Sequence, residues 1–161
     1  MFYLMICAHS NERSDLLNRI KGFYLRDLEK DTILNKYVSK FLIDELMPLE
    51  ETQVQADIRG YEPFTEKVEN HKLHYNEFVR QIIQHNLRVL EKYYERIALD
   101  RLAHLIGVSA NRAEDELADM VVNDRISAKI NRINRIVAFG KKKEVDDLLD
   151  DWNSDIKELL N

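Results

Sequence analysis

Residues 75–90 repeat large apolar side chains every three or four positions, the spacing that places them on one face of an α-helix. This stripe consists of Tyr75, Phe78, Val79, Ile82, Ile83, Leu87 and Leu90. The opposite side is polar and consists of Arg80, Gln81, Gln84, Arg88, Glu91 and Lys92. The pattern predicts one long helix over about residues 65–94. Because so continuous a stripe is not left in water, the elements before and after the helix must pack against it.

The composition favours helices in the rest of the chain as well. The 161 residues include only four glycines and two prolines, while apolar residues make up 45% of the chain. Turn-forming residues are therefore too scarce for an all-β fold, whereas the apolar content is sufficient for a core. The sequence predicts a mainly α fold.

Short helices are predicted in residues 1–63, before the long helix. Asn11 is placed to cap one of them. Residues 34–46 carry apolar side chains at spacings of three and four, so they are predicted to form another helix, which Pro48 brings to an end. Residues 50–63 lose this pattern and are predicted to form a loop.

Two helices joined by a short turn are predicted after the long helix. Ile97 begins a short extended segment, and residues 99–106 follow with helical spacing that ends at Gly107. Ser109 can cap the next helix. The buried face of that helix is predicted to be Ala113, Leu117, Met120 and Val121. Helices joined by so short a turn form a helix-turn-helix.

The pattern then changes to a period of two, which is typical of β-strands. Apolar and polar residues alternate over residues 126–131, and a second apolar run covers residues 136–139 after a short polar turn. This turn contains no glycine, and Asn134 is the residue in it expected to adopt a left-handed conformation. A helix-turn-helix followed by a hairpin is the winged-helix arrangement, and a strand at Ile97 would complete its sheet.

A last apolar stripe lies in residues 144–160. Its members are Val145, Leu148, Leu149, Trp152, Ile156, Leu159 and Leu160. They step by three and four, which predicts a C-terminal helix with a seam close to that of a coiled coil. Burying these side chains would contribute on the order of 10 kcal/mol before ordering entropy is subtracted, so we expect the helix to pack on a partner.

The charge pattern argues against nucleic acid as the main partner. The net charge is -5, whereas affinity for phosphate backbones comes from clustered Lys and Arg. Glu114, Glu116 and Asp119 in the second helix of the helix-turn-helix would repel phosphates in a groove. Basic residues do collect in and after the hairpin, at Arg125, Lys129, Arg132, Arg135, Lys141, Lys142 and Lys143. They are interpreted as charges that protect an exposed strand edge, with a phosphate-binding or acidic-partner patch as the alternative.

The sequence shows neither a secretion signal nor a membrane span. The apolar residues 2–8 have no basic region before them and no small-residue cleavage site after them, and no stretch approaches the roughly 20 apolar residues of a membrane helix. The single cysteine, Cys7, cannot form an internal disulfide, which fits a reducing compartment. We expect the protein in the cytoplasm and nucleus, with no membrane partner.

Catalytic and metal-binding motifs are not found. His71 and His74 lie three positions apart on the predicted long helix, but no third ligand accompanies them. His85 is interpreted as making a polar contact with a neighbouring helix. No nucleophile elbow, glycine-rich phosphate loop or carboxylate pair with an adjacent base occurs. Neither a cofactor nor an enzymatic activity is expected.

The order of residues from 96 to 139 resembles the winged-helix half of a PCI domain, the module shared by the proteasome lid, the signalosome and translation initiation factor three. The resemblance is carried by Arg96-Ile97, Leu102-Ala103, Leu105, Ser109, Glu114, Leu117, Val121-Val122-Asn123, Ile126, Ala128-Lys129-Ile130, Arg132, Ile136-Val137 and Phe139. Among PCI proteins, three segments point to the proteasome lid. They are Glu12-Arg13-Ser14-Asp15-Leu16-Leu17, Val121-Val122-Asn123 and Leu148-Leu149-Asp150-Asp151-Trp152.

This resemblance implies an architecture of four parts. A helical-repeat stem would cover residues 1–63, a connecting helix 64–95, a winged helix 96–140 and a C-terminal helix 141–161. Family subunits are several times longer, so the chain would be the C-terminal fragment of one of them.

The resemblance also implies a non-catalytic scaffold of the 26S proteasome regulatory-particle lid that supports ubiquitin-dependent degradation. Its partners would be other PCI subunits and the helical bundle of lid C-termini. The expected contacts at the free strand edge of the winged helix are Ile126, Ala128, Ile130, Ile136, Val137 and Phe139. The expected C-terminal contacts are Val145, Leu148, Leu149, Trp152, Ile156 and Leu159. The alternatives are the equivalent signalosome subunit and a nucleic-acid-binding winged helix, and the isolated fragment could self-associate through its unpaired stripes.

Overall fold

The computed structural model describes residues 1–140, a mainly helical chain with one small sheet. Its first helices are α1 (Phe2–Ile6), α2 (Asn11–Phe23), α3 (Leu25–Lys30), α4 (Thr32–Leu42) and α5 (Glu51–Ile58). A 3₁₀ turn at Glu62–Phe64 leads into the long helix α6 (His71–Tyr93). The remaining elements are β1 (Arg96–Ala98), α7 (Leu99–Ile106), α8 (Ala110–Val122), β2 (Ala128–Asn131) and β3 (Ile136–Phe139). The mainly α winged-helix architecture expected from the sequence is confirmed.

Two helix boundaries in the stem differ from the sequence prediction. Helix α2 is capped by Ser10, whose hydroxyl accepts a hydrogen bond from the backbone N–H of Arg13 at 3.1 Å, so the cap lies one residue before Asn11. Helix α4 ends at Leu42, because Ile43 is already extended, and not at Pro48. Helix α2 therefore begins one residue earlier than predicted, and α4 ends before its proline is reached.

The prediction of a loop over residues 50–63 is wrong. This stretch contains α5 and the 3₁₀ turn, and α5 buries Val54 and Ile58 in the core. Two apolar side chains on a helix of this length give almost no periodic signal, so the helix depends on its tertiary contacts. One of these contacts is a hydrogen bond of 3.1 Å from the Tyr75 hydroxyl to the carbonyl of Glu51.

Helix α6 begins at His71, later than predicted, and is buried on more than one side. Its apolar stripe lies in the core as expected. However, Gln81 and Gln84, which the sequence places on the polar side of the helix, are each only 1% exposed. Helices from the stem pack on one side of α6, while α7 and α8 pack on another. Helix α6, called the rod below, is therefore the centre of the fold.

The winged helix follows the sequence prediction closely. Helix α7 ends at Gly107, which has a left-handed backbone with φ of 86°. Ser109 caps α8 by accepting a hydrogen bond of 3.4 Å from the Arg112 N–H. Strand β2 begins at Ala128, two positions inside the predicted strand, because Ile126 is a buried residue of the segment before it.

The three strands form an antiparallel sheet in the order β1-β3-β2. In the turn between β2 and β3, Arg135 adopts the left-handed conformation with φ of 52°, in place of the predicted Asn134. The backbone N–H of Asn134 instead bonds the side-chain oxygen of Asn131 at 3.1 Å, which closes the turn. The single core extends from Phe2 in α1 to Phe139 in β3. None of the helices described is long and apolar enough to cross a membrane.

Candidate protein-interaction site

Strand β2 forms an edge of the sheet that no described part of the chain covers. The order β1-β3-β2 leaves one side of β2 unpaired, while β3 is hydrogen-bonded on both sides. Strand β1 is the other edge and spans only Arg96–Ala98. An unpaired row of N–H and C=O groups is a template on which another strand can pair. The winged helix of residues 96–140, called the wing below, therefore has its longer open edge at Ala128–Asn131.

The hydrogen bonds near β2 show which backbone groups point to the open side. The N–H of Gly140 donates to the carbonyl of Ser127 at 2.8 Å, at the end of the β2–β3 ladder. Because bonded and non-bonded pairs alternate along antiparallel strands, the next residue, Ala128, does not exchange hydrogen bonds with β3, and neither does Ile130. The backbone groups of Ala128 and Ile130 are thus directed towards a possible partner strand.

An apolar groove lies beside this edge, between α8 and β2. Its volume is about 290 Å³. It is lined by Ala118, Val121, Val122, Ala128, Ile130 and Arg132. Val122 is 85% exposed, a high value for a large apolar side chain. A strand added to β2 could place a side chain in this groove. The sequence prediction did not include Ala118 and Val122 among the contact residues. Val122 had a signal, because it is a large apolar residue that lies off the predicted buried face of α8.

The structure divides the predicted winged-helix contacts into three groups. Ile126, Val137 and Phe139 belong to the core of the chain itself. Ala128 and Ile130 are half-buried and line the groove, and Ile136 is 38% exposed. The expectation that residues 136–139 provide a free edge is wrong, because β3 pairs with both β1 and β2 and its backbone groups are used within the sheet. Contact with another subunit stays a prediction for each of these residues.

The family model of the PCI domain matches residues 25–141, which include most of the stem, the long helix and the wing. The chain belongs to the PCI-domain family. The resemblance drawn from residues 96–139 is thereby confirmed. The match does not test the predicted boundaries at residues 63 and 95, so these boundaries stay predictions.

Several proteasome proteins are similar to this PCI chain over almost all of its length. The 26S proteasome regulatory subunit rpn501 of Schizosaccharomyces pombe is 31% identical over 160 residues, which are 98% of this chain and 36% of the relative. The 26S proteasome non-ATPase regulatory subunit 12 of Dictyostelium discoideum is 33% identical over 162 residues, which are 99% of this chain and 35% of the relative. The chain thus spans about a third of the length of these relatives.

A signalosome protein is similar to a smaller part of the PCI chain. The COP9 signalosome complex subunit 4 of Dictyostelium discoideum is 34% identical over 80 residues. These residues are 50% of this chain and 20% of the relative.

Most basic residues of the PCI wing make contacts within the chain. Arg132 forms an ion pair of 2.7 Å with Glu114, and Arg135 one of 2.8 Å with Asp100. Arg125 donates a hydrogen bond of 3.1 Å to the side-chain oxygen of Gln84 in α6. Lys129 is exposed, and Lys141, Lys142 and Lys143 lie outside the described residues. The wing is therefore less basic as a surface than its sequence suggests.

The acidic residues of α8 bind the neighbouring long helix. Arg80 of α6 lies 3.1 Å from Glu116 and 2.5 Å from Asp119, and these carboxylates raise the pKa of its guanidinium. Glu116 also accepts a hydrogen bond of 3.4 Å from Gln84. In this PCI domain the second helix of the helix-turn-helix presents carboxylates to α6, which fixes the wing against the rod.

The histidines considered as ligands hold backbone groups. Nδ1 of His71 lies 2.9 Å from the carbonyl oxygen of Val68, and Nδ1 of His74 lies 2.9 Å from that of Pro63. Nε2 of His85 lies 3.0 Å from the carbonyl of Glu45, which belongs to the segment after α4 and not to a neighbouring helix. Within residues 1–140 no cluster of three or more His, Cys, Asp or Glu side chains is arranged to hold a metal ion.

The predicted C-terminal contacts lie outside the residues that the structure describes. They are Val145, Leu148, Leu149, Trp152, Ile156 and Leu159. Their part in an interface stays a prediction.

Proposed function

We propose that this PCI chain acts as part of a non-catalytic scaffold subunit of the 26S proteasome regulatory-particle lid, in the cytoplasm and nucleus. The similarity to proteasome regulatory subunits over 98% and 99% of the chain supports the assignment to this complex. The proposed mode of action rests on the open edge of β2, because an unpaired strand edge beside an apolar groove can pair with a strand of another protein. In this role the subunit supports ubiquitin-dependent degradation by holding its neighbours in place.

The proposed contact adds a strand of a neighbouring PCI subunit to β2. The backbone groups of Ala128 and Ile130 would form the new hydrogen bonds, and the groove beside Val122 would take an apolar side chain of the added strand. Residues 144–160 would supply a second contact by entering a bundle of lid C-termini.

The substitution Ala128→Pro tests the strand contact. Proline removes the N–H that points to the partner, while the hydrogen bonds between β2 and β3 keep their donors. We expect the variant to lose co-purification with lid subunits when the tagged chain is captured from cells. Its free energy of unfolding should stay within about 1 kcal/mol of the parent, because an edge position tolerates proline.

Ala128→Ser is the matched control, because it changes the side chain at the same position with little added volume and keeps the N–H. It should co-purify with the lid as the parent does. If Ala128→Pro also co-purifies fully, strand addition at this edge is wrong. If the parent itself brings down no lid subunit, the assignment to the lid is wrong.

The signalosome is the second candidate, favoured by the 34% identity to its subunit 4 over 80 residues. The same capture experiment separates the two complexes, since the co-purifying subunits identify the assembly. Recovery of signalosome subunits without lid subunits would replace the first proposal by the second.

A further inference from the structure

The outer face of the three-stranded sheet is exposed and has a regular arrangement of side chains. Arg96 of β1 pairs with Ala138 of β3, which pairs in turn with Lys129 of β2. Side chains alternate along each strand, and Arg96 and Lys129 are both exposed, so these three side chains form one row on the outer face. The next outward residue of β3 is Ile136. The face thus has an apolar centre with a cation on each side.

An open cavity of about 700 Å³ lies on this face. Its lining includes Ile133, which is 94% exposed, and Ile136, which is 38% exposed. None of the described side chains that line the cavity is acidic, although the whole chain has a net charge of -5. Neither Arg96 nor Lys129 has a carboxylate partner among residues 1–140. The cavity shares Ile130 and Arg132 with the groove beside β2, whereas Arg96, Ile136 and Ala138 line this cavity and not the groove.

We propose that the outer face of the sheet binds an acidic amphipathic helix of another polypeptide. Adjacent strands lie about 4.8 Å apart, so Arg96 and Lys129 are separated across β3 by about 10 Å. An α-helix with its side chains is about 10–12 Å wide. A helix lying along β3 would set its apolar stripe on Ala138 and Ile136, and carboxylates on its two flanks would reach Arg96 and Lys129.

The apolar centre favours such a helix over nucleic acid. Phosphate binding needs many cations, whereas among residues 1–140 only Arg96 and Lys129 line this face without a carboxylate partner, since Arg132 is paired with Glu114 at 2.7 Å. A phosphate backbone would leave the exposed side chains of Ile133 and Ile136 in water. The apolar stripe of a helix would bury them, which is favourable.

A synthetic helical peptide is the probe for this site. It has about 18 residues, or five turns, with leucines on one face and glutamates on both flanks. Fluorescence anisotropy with the full chain should show binding that weakens as salt rises. The double variant Arg96→Glu/Lys129→Glu should weaken binding about tenfold or more, because two attractions become two repulsions. Ile136→Asp should weaken it as well.

The matched control is Arg19→Glu/Arg101→Glu, which changes the net charge equally at exposed positions that do not line the cavity. It should leave the affinity for the peptide unchanged. An equal loss in both double variants would overturn the proposal, because binding would then depend on total charge alone.

Two further results would also overturn it. One is that the parent chain does not bind the peptide. If a variant with Asn at positions 146, 147, 150 and 151 then binds it, the occupant of the face is the chain's own acidic segment and not another polypeptide. The other is duplex DNA that competes fully with the peptide, which would make the face a phosphate site.

Discussion

Buried polar side chains of α6 hold the segment that connects α4 with α5. The amide of Asn86 donates to the carbonyl of Met47 and accepts from the N–H of Met47, both at 2.8 Å. The next residue towards the N-terminus, His85, lies 3.0 Å from the carbonyl of Glu45. A connecting segment lacks the regular backbone hydrogen bonds of a helix or sheet, so its buried N–H and C=O groups need side-chain partners. Polar residues in the centre of the rod are therefore structural.

The pH dependence of stability tests the state of His85. Burial, together with the nearby guanidinium groups of Arg88 and Arg13, lowers the pKa of His85 from 6.5 to about 4, although Asp44 and the Glu45 carbonyl act in the opposite direction. The unfolded chain takes up this proton near pH 6.5 and the folded chain only near pH 4. The contribution of a neutral His85 is therefore complete above pH 6.5, and it falls by up to about 1.4 kcal/mol per pH unit as the pH drops towards 4.

His85→Gln should make the free energy of unfolding less dependent on pH between 7 and 5, since glutamine keeps a donor but does not titrate. Urea titrations at a series of pH values measure this slope. His104→Gln, at an exposed position, is the control and should keep the slope of the parent. Equal slopes for His85→Gln and the parent would mean that the folded chain already carries the proton.

The elements of the wing were predictable from sequence because each has a local signal. Ser109 caps α8, Gly107 ends α7, and apolar and polar residues alternate along β2. Helix α5 has no such signal, because Val54 and Ile58 are its only buried side chains. It forms because the core formed by other elements covers that face, which is a tertiary effect.

The candidate site was predictable only in part, for a similar reason. Alternation along the strand places Ala128 and Ile130 on one side of β2, and this part of the prediction needs only neighbouring residues. The strand order depends on the pairing of Ile97 with Val137, a contact between residues far apart in the chain. No local pattern contains that information, so the sequence could not show that β3 is central.

The end of α7 provides a test of how the wing packs on the stem. Gly107 has φ of 86°, and a Cβ atom at this position would lie 2.9 Å from the carbonyl oxygen of Leu49. Gly107→Ala should therefore destabilise the chain by about 1–3 kcal/mol, from the left-handed backbone and the contact with a rigid carbonyl. Chemical denaturation measures the change.

Gly60→Ala is the comparison, since a Cβ there would meet nothing within 4 Å. It should be neutral or should stabilise by up to about 1 kcal/mol, because alanine reduces the freedom of the unfolded chain. A Gly107→Ala variant as stable as Gly60→Ala would show that α7 does not pack closely on Leu49.

At the scale of the whole molecule, stem and wing form one body around α6. The ion pairs of Arg80 with Glu116 and Asp119 join α6 to α8, and the contact of Gly107 with Leu49 joins α7 to the segment before α5. The orientation of the β2 edge relative to the stem is therefore set within the chain. A neighbour that pairs with β2 would be held at a defined angle to the stem, as the proposed scaffold role requires.

A scaffold with two contacts should lose assembly when only the second is removed. The double variant Trp152→Asp/Leu149→Asp places charges in the apolar stripe of residues 144–160, where burial would cost several kcal/mol per ion. We expect it to abolish co-purification with lid subunits and to leave the free energy of unfolding of residues 1–140 unchanged. The control Asn153→Asp/Ser154→Asp adds the same charge outside the stripe and should assemble. Equal recovery of lid subunits with both double variants would show that assembly does not need this apolar stripe.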